Sequence, residues 1–188
     1  MLPGVTLDGT TRLPYEPSRG CEASVLAASD EALRQVRPSV VVWISVWDAV
    51  ARQVDGAEID PATAKGRTAL TRLIEERITR FRDTGATVVL VTNPPTGASA
   101  AGPPPEAGSQ RHTLGFNDVL RNVAFANDDV VLVDLADHVC PDGPPCNGED
   151  DIGRPYRPTD GIHYEGEPSV QVAAWILDDA VRQVEATR

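Results

Sequence analysis

Ser39-Val-Val-Val-Trp-Ile-Ser45 and Ala86-Thr-Val-Val-Leu-Val-Thr92 are two unbroken apolar runs rich in β-branched residues. A strand with one face in water alternates apolar and polar side chains. Runs this uniform predict strands buried on both faces, the habit of parallel sheets. Val130 to Leu135 gives a third. Helical spacing fills the intervals between them. Ser24 to Val36 predicts a helix with Leu26, Leu33 and Val36 inward, stopped by Pro38. Asp60-Pro61 predicts a cap and a first helical residue. The helix beyond runs to about Asp83, with Leu70, Leu73, Ile74, Arg77, Ile78 and Phe81 on one face and Gly85 after it. Two more helices are expected over residues 113–127 and 168–184, the last with Val170, Ala173, Ala174, Leu177, Val181 and Val184 inward.

Helices alternating with buried strands specify an α/β fold, a three-layer sandwich with a parallel sheet of flavodoxin-like topology. Residues 1–188 read as one domain. Residues 1–23 are irregular, and the best strand candidate among them, Gly4-Val-Thr-Leu7, is short enough only for an edge. The strand at 39–45 is therefore expected either beside Val5 to Leu7 or at a sheet edge, open to a dimer contact or to a partner that completes the sheet. Residues 93–111 are loaded with Pro, Gly and Ser, as in a flexible connector or a flap facing substrate.

The net charge of −11, with acidic residues spread throughout, argues against a nucleic-acid or anionic-membrane partner. No apolar run approaches the ~20 residues that span a bilayer, and Met1-Leu-Pro-Gly does not read as a secretory signal. Cys140 and Cys146 bracket the loop Cys-Pro-Asp-Gly-Pro-Pro-Cys. The expectation is a local disulfide, hence an oxidising compartment, with Cys21 left over; two reduced thiols are the alternative. Their spacing fits no zinc template, and no metal or cofactor is expected. His112 and His138 read as surface loop residues.

Asp160-Gly-Ile-His163 carries the chemistry. A carboxylate three residues before a histidine can orient the imidazole and stabilise its charge while it takes a proton from a serine. The motif leaves a Pro-, Asp- and Gly-rich loop just before the last helix, where open α/β sheets place their sites.

Three segments together resemble the SGNH (GDSL-type) hydrolases, especially the extracytoplasmic SGNH domains fused to membrane acyltransferases. They are Asp160-Gly-Ile-His163-Tyr with Glu165-Gly166; Val40-Val-Val-Trp-Ile-Ser-Val-Trp47-Asp48; and Arg19-Gly20-Cys21. Cys140-Pro141 and Cys146 fit the late loop of that subgroup. The resemblance implies ester hydrolysis or acyl transfer through a serine on an acylated substrate, an O-acetylated cell-envelope glycan being the family analogy. It implies His163 as base and then acid, Asp160 as its orienter, Gly20 as an oxyanion donor, and Trp47 as a pocket residue with Asp48 anchoring the loop through backbone N–H groups. The opening strand-Gly-Asp-Ser block, which holds the nucleophile, has no counterpart here. Ser45 and Ser18 are the serines nearest family blocks, and neither sits on a strand-to-helix turn. A non-catalytic module that binds glycan through the same cleft is the alternative reading.

Overall fold

A computed structural model describes residues 21–54, 57–97, 107–144, 146 and 148–187. Three parallel strands form the sheet. β1 (Val40–Trp43) pairs with β4 (Thr87–Val91), which pairs with β5 (Val130–Val133), in the register Val41↔Val88 and Val89↔Val131. A two-stranded antiparallel ribbon, β2 (Arg52–Val54) with β3 (Ala57–Ile59), lies apart from it. The helices are α1 (Cys21–Val36), α2 (Ala64–Arg82), α3 (Ala107–Phe125), α4 (Leu135–Val139) and α5 (Glu167–Ala186).

The central strand shows why a continuous apolar run is required. Successive side chains point to opposite faces. Val88 and Leu90 enter a core with Leu70, Ile74 and Phe81 of α2 and Phe116 and Val119 of α3. Val89 and Val91 enter a second core with Val139 of α4 and Val172, Ala180 and Val184 of α5. All four are essentially inaccessible to water. The expected three-layer α/β sandwich is thus present.

The structure corrects several details. β1 is not buried on both faces: among the described residues it is a sheet edge, with Val42 37% exposed and Ile44 exposed. Val5 to Leu7 lie outside the described residues. Val36 is exposed while Leu33 is buried, and the side chain of Leu26 lies outside the described part. The cap of α2 is Thr63, whose Oγ1 accepts from Gly66 N at 3.0 Å, while Asp60 holds the preceding turn by accepting from Ala62 N at 2.7 Å. α3 begins six residues before the expected start. The β2–β3 ribbon and α4 were not expected at all. Finally, α5 turns a different face inward: Pro168, Val172, Ala180 and Val184 are buried, while Val170, Ala173, Ala174, Leu177 and Val181 are exposed.

Candidate active site at the 160–163 turn

The chain between α4 and α5 is knitted by its own polar groups. Asp150 accepts from the N–H groups of Ile152 and Arg154 and from Arg154 Nε, and Tyr156 N donates to Gly148 O. This places Arg157 inside, where its guanidinium donates to Cys146 O at 3.3 Å and Sγ at 2.8 Å and lies over the Tyr164 ring. The segment after β4 passes between this loop and the next turn. Its Gly97 donates to Gly161 O at 2.8 Å, and a Cβ at position 97 would stand 2.2 Å from the Cys146 carbonyl oxygen. Only glycine fits that approach.

Asp160 then builds the turn. Its Oδ1 accepts from the N–H groups of Ile162 and His163, each at 2.8 Å, and its Oδ2 stands 2.6 Å from His163 Nδ1. Gly161 supplies the positive φ (71°) the turn requires. The backbone N–H of His163, then its ring, pull the Asp160 carboxyl down to about 2. An ionised Asp160 fixes Nδ1 as the donor, which makes Nε2 of the neutral imidazole an acceptor. The ring is 76% exposed. The arrangement can therefore take a proton from a hydroxyl brought to Nε2 and hold the resulting charge.

A titration checks the turn. A depressed carboxyl contributes stability above its unfolded value of about 3.9, and that contribution is lost as pH falls toward 2. Carboxyl-carbon NMR is expected to give Asp160 a midpoint near 2. A midpoint at the ordinary value would show that the His163 amide bond is not made in solution.

A family model described as an SGNH domain (fused to AT3 domains) matches residues 2–164. The chain belongs to this SGNH family. The match takes in Asp160 and His163 and stops short of α5. No curated protein matches the chain.

The other residues expected at the site of this SGNH domain fare differently. Gly20 lies outside the described residues. Trp47 opens a 3-10 turn (Trp47–Ala49) after β1, and its side chain is outside the described part. Asp48 is fully buried beside a cation: Arg52 NH1 stands 3.4 Å from Oδ1, and Arg52 also donates to the Asp48 carbonyl. Cys140 and Cys146 stand in this structure as free buried thiols, and burial, with a hydrogen bond to Cys146, pushes the Cys140 thiol up to about 12. Cys21 begins α1. His112 is helical, with Nε2 3.2 Å from Asp60 Oδ1. His138 lies on α4 with its ring stacked 3.8 Å from that of Trp175, and burial lowers its pKa. Neither is a surface loop residue.

Sequence reasoning missed the polar frame at the carboxyl ends of the strands. Asn93 N donates to Asn117 Oδ1 at 2.9 Å, Asn117 Nδ2 returns a bond to Asn93 O at 2.7 Å, and Asn93 Nδ2 reaches Ser45 O at 2.8 Å. This ties the end of β1 to the end of β4 and to α3. Beside it, Asp134 accepts from Thr92 Oγ1 and twice from Arg121. Burial alone would raise the Asp134 carboxyl, but those bonds outweigh it and lower it. An Asn directly after a buried strand, as in Thr92-Asn93-Pro94, was the available signal.

Proposed function

We propose that this SGNH domain serves serine ester hydrolysis or O-acyl transfer on acylated substrates, O-acetylated cell-envelope glycans among them. The observation that carries the reading is the 2.6 Å contact between His163 Nδ1 and Asp160 Oδ2, with the imidazole otherwise open to solvent. In the reaction, His163 Nε2 takes the proton of a serine hydroxyl as the oxygen attacks the acyl carbon. His163 then returns that proton to the leaving alcohol. Asp160, ionised throughout the neutral range, positions the ring and balances its charge. No metal or cofactor enters this chemistry. The substrate class comes from family analogy.

A second reading is a domain that binds such a glycan without cleaving it. The observation favouring it is that among the described residues no hydroxyl is hydrogen-bonded to His163 Nε2. A fluorophosphonate probe separates the two. Stoichiometric labelling of residues 1–188, lost in Ser45→Ala or Ser18→Ala, would identify a nucleophile within the chain. Absence of labelling together with glycan binding would favour the binding module.

The reading places the domain outside the cytoplasm, and the cysteines test that. In an oxidising compartment Cys140 and Cys146 are expected to join, closing a loop worth about 2 kcal/mol in the chain-entropy model. Thiol counting on unfolded, unreduced protein is then expected to find one free thiol, Cys21. Three would remove the argument for an extracytoplasmic site. Among the described residues no helix is long and apolar enough to cross a membrane.

A further inference from the structure

Arg157 is a charged side chain only 7% exposed, and its described partners are a carbonyl, a sulfur and a ring, with no carboxylate among them. A buried charge is costly unless paired, and an apolar side chain of similar volume would fill such a place at lower electrostatic cost. What sets a guanidinium apart is its shape, a flat plane that can lie on an aromatic face while its edge donates hydrogen bonds. Arg157 uses both. Its Nη2 donates to Cys146 O at 3.3 Å and to Sγ at 2.8 Å, and its Cζ lies 5.8 Å from the centre of the Tyr164 ring.

Each contact borders a place where the 160–163 turn meets the body of the domain. On one side, Gly161 O accepts from Gly97 N at 2.8 Å. Gly97 rests on the Cys146 carbonyl, and a Cβ there would also stand 3.5 Å from Arg157 Nη2. On the other side, Tyr164 follows His163 in the chain and packs its ring against the second core. The His163 ring itself is 76% exposed, and Asp160, which orients it, belongs to the same turn. The pair thus sets its own internal geometry, while Gly161 and Tyr164 tie it to the rest of the domain.

We propose that Arg157 is a positioning residue for His163, acting through the Cys146 carbonyl and Gly97 on one side and through the Tyr164 ring on the other. This role rests on the reading of His163 as the base. It matters to the rate because a reacting group misplaced by about 1 Å costs on the order of a hundredfold.

The test is read in residues 1–188 and needs no turnover. The carboxyl carbon of Asp160 reports how well the turn is held, since its midpoint near 2 comes first from the His163 amide. Arg157→Met is expected to raise that midpoint toward about 3.9 and to speed exchange of the Gly97 and His163 amides on the order of tenfold. Arg157→Lys keeps the charge but not the plane, and is expected to do the same. Val184→Ala, a truncation in the same core near the far end of α5, lowers stability and is expected to leave the midpoint near 2. Tyr164→Phe is expected to change nothing, because that buried hydroxyl has no hydrogen-bond partner among the described residues. Tyr164→Leu removes the ring face with Arg157 in place and is expected to raise the midpoint; it carries the test if Arg157→Met does not fold. An unmoved midpoint in Arg157→Met or Tyr164→Leu, full recovery in Arg157→Lys, or an equal rise in Val184→Ala would each overturn the proposal. A failure of the esterase reading shows separately, as absent fluorophosphonate labelling.

Discussion

Replacing His163 with alanine is expected to lower ester turnover by a factor on the order of 10⁶ in a polypeptide that joins residues 1–188 to a preceding strand-Gly-Asp-Ser segment. Residues 1–188 alone are expected to stay near background toward short acyl esters, with or without the substitution. The argument is one of completeness. Serine hydrolysis needs a hydroxyl within ~3 Å of the imidazole and an N–H donor at the developing oxyanion. The turn supplies the imidazole, fixed by Asp160 at 2.6 Å, and no Gly-Asp-Ser tripeptide occurs in residues 1–188. Groups that act as one unit fail together, so losing either nucleophile or base removes nearly the whole triad contribution. Asp160→Asn separates positioning from chemistry. It keeps the turn but fixes the wrong tautomer, and is expected to lower kcat by about 10⁴ with KM little changed. Substantial turnover by residues 1–188 that vanishes in Ser45→Ala would contradict this account.

The parts of the fold legible in the sequence are those set by one physical requirement at a time. A strand buried on both faces must be apolar throughout, which marks residues 86–92 without ambiguity. The similar run at 39–45 gives β1 with Val42 and Ile44 exposed, so an apolar run does not by itself put both faces of a strand in the core. α5 carries the plainest failure. Its periodicity fixed a helix but not its phase, because α5 has two apolar sectors, and the cleaner stripe is the one turned away from the sheet. Asp160 and His163 were legible because both groups of the motif lie within one turn. Arg157, Asn93 and Asn117 were not, since their partners stand 11, 48 and 24 residues away. The β2–β3 ribbon did have a signal in the sequence, the Asp55-Gly56 dipeptide, a composition that favours hairpins.

Arg52→Ala is expected to cost about 3–5 kcal/mol of stability, among the largest effects of any single substitution on the described residues. Asp48 and Arg52 have fully inaccessible side chains 3.4 Å apart, and Arg52 further donates to the carbonyls of Asp48 and Val50. Removing the guanidinium takes a charged partner from a fully buried carboxylate, which costs more than the loss of one neutral contact. Replacing both partners by apolar residues of similar volume, Asp48→Leu with Arg52→Met, is expected to recover most of the loss, because neither charge then has to be desolvated. Urea unfolding measures this as a fall in midpoint for the single variant and a return in the double, at constant m-value. A loss below about 1 kcal/mol in Arg52→Ala would mean that water reaches the pair, as at a surface ion pair. Asp48 follows Trp47 in the 3-10 turn at the carboxyl end of β1, so the buried pair ties that turn to β2, where Arg52 lies.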